Sequence, residues 1–253
     1  MIELSKIKIE IISKNIVPVN IDNPILTYKQ DKNRQSDRLL VKVYYDDIEI
    51  GVGIILDFYK QFEIIEDFGE PQTRVISFEH KGNIKFTNTY FGNTIYRIKN
   101  FKNPKIAEEE RERYIQEITA IFNTYLPFLE EKAPNFKLSY IPSSARIPDD
   151  ICKNLSNLSK KEIVKIVDKN PNDTIDSKSI TTFEDSLNHS NTKYIFDEAK
   201  IVQNKKSQFL IVDDVFGNGS SIFTILKKLY DTTKMVNYFF IVVKDVKRWK
   251  VFL

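Results

Sequence analysis

Four consecutive apolar residues, Phe209-Leu210-Ile211-Val212, run directly into two adjacent carboxylates, Asp213 and Asp214. After Val215 and Phe216 the chain continues as Gly217-Asn218-Gly219-Ser220-Ser221, then as an apolar-periodic stretch from Ile222 to Tyr230. The apolar run reads as a strand buried on both faces, and the periodic stretch as a helix. A strand, a small-residue loop and a helix in this order belong to an α/β sheet, which binds ligands outside the carboxyl ends of its strands. A small-residue loop opening a helix presents free N–H groups and the positive end of the helix dipole to an anion. Carboxylates on the strand side suit hydroxyl groups or a hard cation. The combination suits a sugar phosphate, with its phosphate in the loop and its hydroxyls on the aspartates. A strand entering a tight turn would explain Gly217-Asn218-Gly219 alone, but not the buried run, the acidic pair and the helix together.

The segment resembles the phosphoribosyl pyrophosphate motif of the type I phosphoribosyltransferases. That motif has four apolar residues, two acidic ones, two apolar ones, two small or hydroxylated ones, a glycine, a small residue and a serine or threonine. The resemblance implies that Asp213 and Asp214 are the catalytic pair at the ribose 2′- and 3′-hydroxyls. It also implies that Gly217, Asn218, Gly219, Ser220 and Ser221 wrap the 5′-phosphate. The family usually has threonines where Gly217 and Asn218 stand, so a side-chain hydroxyl is lost while the backbone donors remain. Upstream, the strand candidate Phe136 to Ile141 ends in Pro142-Ser143-Ser144-Ala145-Arg146. This is the matching place for the family's pyrophosphate loop, which assigns Ser143, Ser144 and Arg146 to the leaving group. For Arg146 a surface salt bridge is an equal reading. The Pro-Ser-Ser-x-Arg pattern is loosely similar to the competence-type branch. The polar residues 171–198 match the family's mobile loop, and His189 within them reads as a solvated loop residue.

The reaction implied is transfer of ribose 5-phosphate from phosphoribosyl pyrophosphate to a base or other acceptor, with Mg2+ carried by the pyrophosphate. The alternative is a non-catalytic nucleotide-sensing regulatory or effector protein on the same fold. The acceptor is not legible.

The fold expected is α/β (α+β overall), with two domains. Residues 1–102 form a β-rich N-terminal domain serving as a hood or a partner-docking unit, and residues 103–253 form the parallel-sheet phosphoribosyltransferase-like core. Strand candidates in the first half are Ile2 to Ile11, Leu39 to Tyr45, Gly51 to Leu56 and Arg74 to Phe78, with turn signals at Asn33 to Asp37, Gly69 to Pro71 and Lys81 to Asn83. A helix is expected from Ile106 to Glu131, capped by Asn103 and kinked or ended by Pro127. Another follows at Asp149 to Leu158, the stretch Ser159 to Val167 is undecided, and a last strand, Asn237 to Val243, precedes a short tail. At 253 residues and 42% hydrophobic content the chain can bury a large core. The single cysteine, Cys152, excludes an internal disulfide and suits a reducing cytoplasm. No signal-peptide-like region and no membrane-length apolar run stand out. With a net charge of +3 and scattered lysines, nucleic acid is not indicated as a partner, and neither is a membrane. The resemblance implies a small-molecule phosphoribosyl or nucleotide ligand, and the N-terminal half could dock a protein partner or a second copy. The two histidines, His80 and His189, offer no Cys/His metal cluster.

Overall fold

The computed structural model describes residues 2–14, 25–64, 73–77, 84–99, 106–175, 180, 182–246 and 248–252. Its first half contains strands β1 (Ile7–Ser13), β2 (Leu26–Gln30), β3 (Leu39–Tyr45), β4 (Ile48–Phe58), β5 (Lys60–Ile64), β6 (Thr73–Ser77) and β7 (Ile84–Asn88), then helix α1 (Tyr90–Lys99). Next come α2 (Glu108–Asn123), α3 (Leu126–Lys132), β8 (Lys137–Tyr140), α4 (Ile147–Ser159) and β9 (Val167–Lys169). The chain continues through α5 (Phe183–Lys193), β10 (Tyr194–Phe196), α6 (Glu198–Gln203), β11 (Phe209–Phe216), α7 (Ser220–Thr233), β12 (Asn237–Lys244) and β13 (Arg248–Phe252).

The protein is mixed α/β, built on a seven-stranded sheet of order β2-β1-β3-β4-β12-β11-β8. The run β4-β12-β11-β8 is parallel throughout, while β3 is antiparallel to both β1 and β4. Side chains alternate across each strand. On β11, Phe209 and Ile211 enter a core shared with Phe183 and Leu187 of α5, Ile201 of α6 and Ile222, Phe223 and Leu226 of α7. Leu210 and Val212 enter the opposite core, with Ile95 and Ile98 of α1, Ile118 and Phe122 of α2, Leu129 of α3 and Ile151 of α4. The near-continuous apolar pattern of β11 and β12 follows from this double coverage.

The connections create one switch point. After β8 and α4, Ile163 bridges in parallel to Leu138, on the side of β8 away from β11. The chain then crosses to the other side of β8 to form β11. Between β8 and β11 the winding therefore reverses, and at such a point α/β sheets place a ligand crevice at the carboxyl ends of the two strands.

The boundary expected after residue 102 is not a break in the sheet. β4 pairs with β12 over the register Asn237–Gly51 to Lys244–Phe58, so the two halves share a backbone ladder. The tail expected after Val243 also differs: β12 extends through Lys244, and β13 pairs antiparallel with β6 from the first half. Residues 90–99, in a region that reads as strands, are helical. Tyr, Phe, Thr and Ile favour strands, but Phe91, Ile95 and Ile98 recur at helical spacing, and burial of that stripe decides the matter. Thr89 starts the helix: its hydroxyl accepts from the Gly92 N–H at 3.0 Å.

The long helix divides at Thr124–Tyr125, with Pro127 in the first turn of α3. Phe128, just past the break, is 65% exposed. Asn103, Gly69 to Pro71 and Lys81 to Asn83 lie outside the described residues. In the stretch expected as a mobile loop, residues 183–196 are α5 and β10, packed against α7 and paired with β9. The stripe that buries α5 is Phe183, Ser186, Leu187, His189 and Ser190, too polar to read as an apolar period. Among the described residues no helix is long and apolar enough to cross a membrane.

Residues 103–253 expressed alone are expected not to fold. They would lose Ile9, Ile11, Val41, Val43, Ile50 and Ile55, all fully buried with Phe239 and Ile241 in one core. Each contributes about 1.5–3 kcal/mol, against a total stability of about 5–15 kcal/mol. Urea titration followed by circular dichroism should give a cooperative transition for the full chain and none for the fragment.

Candidate active site

Asp213 and Asp214 lie inside β11 at the switch point, 9% and 4% exposed. The two carboxylates are neighbours on the strand, and Asp214 is the one met by α1 and by the loop after β8.

Asp214 is bound by two donors. Ser143 Oγ, in the loop after β8, donates to its Oδ2 at 2.8 Å. Lys99 Nζ, in the last turn of α1, donates to its Oδ1 at 2.8 Å. The hydroxyl–carboxylate contact joins two groups that lie 71 residues apart in sequence. The ammonium comes from the first half of the chain and gives no signal in the sequence: it follows a stretch that reads as strand.

Asp213 accepts the Asp214 backbone N–H at 2.8 Å. Burial, and then the Asp214 charge, push its carboxyl well above the usual range; that N–H, Lys99 and Lys193 oppose the rise. Lys193 ends α5, and burial holds its ammonium below the usual lysine value while both aspartates pull the other way. Both lysines thus act on the acidic pair, Lys99 by direct contact with Asp214 and Lys193 through its charge.

The loop Gly217 to Gly219 turns β11 into α7. Gly219 caps the helix with φ +92°, a conformation costly for any residue with a Cβ. A Cβ there would also stand 2.6 Å from Ile9 Cδ1. Asn218 Oδ1 accepts the Ser220 N–H at 3.1 Å. Lys244, fully buried at the end of β12, donates from Nζ to the Gly217 carbonyl at 2.6 Å and to the Asp245 carbonyl. Burial pushes that ammonium down to about 7. The hydroxyls that open α7 are tied to the neighbouring elements: Ser190 Oγ donates to Ser220 Oγ at 3.2 Å, and Tyr194 OH donates to Ser221 Oγ at 3.1 Å. His189 is buried rather than solvated, its Nε2 2.9 Å from Asp173 Oδ1.

Ser143, Asp213, Asp214 and the Gly217 to Ser221 loop gather at the crevice. Ser144 and Arg146 face elsewhere. Both line a cleft of about 580 Å³ between α2 and the start of α4, with Arg111, Asp150 and Lys153. The Arg146 side chain is 67% exposed, 3.8 Å from both Asp149 and Asp150. Arg146 has φ +58° and caps α4. Lys99, Ser190, Lys193, Tyr194 and Lys244 belong to the site without standing in any motif. No protein-family model and no curated protein matches this chain.

The raised Asp213 carboxyl fixes a pH dependence. The folded state holds this proton at pH values where the unfolded state has released it, so stability falls as pH rises from about 4 toward the folded value. Asp213→Asn removes that fall. In urea unfolding the variant should exceed wild type by more than about 1 kcal/mol at pH 8, and the gap should close by pH 4. Lys244 titrates identically in both proteins and cancels from the difference.

Proposed function

We propose that this chain is a phosphoribosyltransferase-like protein that binds phosphoribosyl pyrophosphate or a nucleoside monophosphate in the crevice between β8 and β11. The observation that carries this reading is the convergence of two loops on one carboxylate pair: Ser143 reaches Asp214 at 2.8 Å, and Gly219, at φ +92°, opens α7 beyond the same strand. The strand order supports it as well, since β8 and β11 flank the switch point where such sheets bind nucleotides.

In this reading the N–H groups opening α7 and the hydroxyls of Ser220 and Ser221 receive the 5′-phosphate. Asp213 and Asp214 take the ribose hydroxyls, and the Asp214 negative charge lies beside the carbon that becomes cationic as its leaving group departs. Transfer breaks the bond from C1′ to the pyrophosphate oxygen, which leaves with the electron pair, and forms a bond from C1′ to the acceptor nucleophile. Ser143, the residue of the loop after β8 that reaches Asp214, orients the leaving group. Among the described residues no three His, Cys, Asp or Glu side chains cluster for a metal. Mg2+ needs only one or two carboxylates when phosphates supply the other oxygens, and Asp213 and Asp214 are the hard donors present. Bound there, the ion would neutralise pyrophosphate charge.

One contact favours the sensing alternative. Asn218 occupies the Ser220 N–H, a donor the phosphate would otherwise use, which weakens the loop as an anion cradle. Pyrophosphate release from phosphoribosyl pyrophosphate with a panel of bases separates transfer from sensing: release dependent on a base means transfer, and binding without release means sensing.

Calorimetry with Mg2+ and phosphoribosyl pyrophosphate or a nucleoside monophosphate should show binding to the wild type. The pair Asp213→Asn and Asp214→Asn should weaken it by about tenfold or more with the fold intact. For the loop, Gly219→Val tests packing against Ile9 as much as phosphate, so Gly217→Val is the cleaner variant: a Cβ at Gly217 meets nothing within 4 Å. It should keep the wild-type unfolding temperature and lose affinity. Absence of binding to the wild-type protein ends the proposal.

A further inference from the structure

We infer that Lys99 is a ligand-contacting cation on the leaving-group side of the crevice, supplied by the first half of the chain, and that it sets preference for a sugar bearing an anionic group at C1′ over a plain sugar phosphate. The inference rests on the proposed phosphoribosyl site. Asp214 is met by α1, on the face of the sheet that also carries α4, and its two oxygens are taken by Ser143 Oγ and Lys99 Nζ, each at 2.8 Å. One carboxylate therefore holds the loop after β8 and the end of α1 side by side. The 5′-phosphate loop is on the other face, tied by Ser190 and Tyr194 to α5 and β10. Lys99 is thus grouped with the leaving-group loop and not with the 5′-phosphate.

An ammonium has three donors, and among the described residues Asp214 is the hydrogen-bond partner of this one. Its side chain is 36% exposed, whereas that of Asp214 is 6% exposed, so the cation reaches from the rim to a buried anion. A carboxylate has about four acceptor positions and can take a ribose hydroxyl without releasing either donor. The donors left on Lys99 are then beside any group carried on C1′. Arg146, the cation expected for this task, instead pairs with Asp149 and Asp150. A further consideration is charge: Lys99 opposes the approach of a bare cation to Asp214 and favours an anion, or a metal already screened by one.

The test compares two probes, phosphoribosyl pyrophosphate and ribose 5-phosphate, by calorimetry at fixed Mg2+ on the full-length protein and on Lys99→Met and Lys99→Arg. Lys99→Met should weaken phosphoribosyl pyrophosphate by about tenfold or more and ribose 5-phosphate by less than about twofold, the difference that one charge-assisted hydrogen bond to the leaving group makes. Lys99→Arg should restore most of the affinity. Equal losses for both probes would make Lys99 only a counter-ion that positions Asp214, and overturn the inference. Unchanged or tighter binding of phosphoribosyl pyrophosphate by Lys99→Met would overturn it too, the latter marking Lys99 as an obstacle on Asp214. A wild type that binds neither probe would instead sink the site reading itself. Thermal unfolding of each variant guards against a folding defect; if Lys99→Met is destabilised, Lys99→Gln carries the same comparison.

Discussion

The parallel pairing of β4 with β12 is the constraint on which the rest of the molecule depends. It joins two halves whose sequences differ in character, and it is possible because two positions on β4 have no side chain. A Cβ on Gly53 would stand 2.2 Å from the Phe239 ring, and one on Gly51 would stand 2.4 Å from a Leu226 methyl. The room these glycines leave is filled by the large residues of β12 and α7, which hold α7 close to the sheet. The start of α7 is the candidate anion loop, so the position of that loop is set by a packing choice made on a strand in the first half of the sequence.

The site is electrostatically expensive. A buried carboxylate pair disfavours the folded state, and Lys99, Ser143, Lys193 and backbone N–H groups offset part of that cost without removing it. Lys244 adds a second buried charge behind the loop, satisfied by two backbone carbonyls. A chain optimised for stability alone would place apolar residues at these positions. Strain of this kind at the switch point of a sheet is what a functional crevice looks like in physical terms.

What could be read from the sequence was local. The run Phe209 to Ser221 announced β11, its loop and α7, because a buried strand, a glycine with positive φ and a helical period each leave a mark on adjacent residues. The strand that leads into the Ser143 loop was legible for the same reason. The sequence did not reveal Lys99, since a β-prone stretch became helical under tertiary packing. Nor did it reveal α5, whose buried stripe mixes Phe183 and Leu187 with two serines and a histidine paired with Asp173. The continuity of the sheet across residue 102 was hidden too. Pairing between β4 and β12 leaves no signature in either strand, and a chain segment with its own strands reads as a domain whether or not its edge is shared.

That shared edge also has a history in time. β4 emerges from the ribosome long before β12, because most of the chain lies between them. At about 5–20 residues per second, the apolar edge of β4 waits on the order of ten seconds or more for its partner. During that interval the four N-terminal strands hold an unpaired ladder, the surface on which strands from other chains add. The architecture that brings Lys99 to Asp214 therefore makes folding a late, long-range closure, the class of pairing that forms slowly because loop closure precedes its contacts.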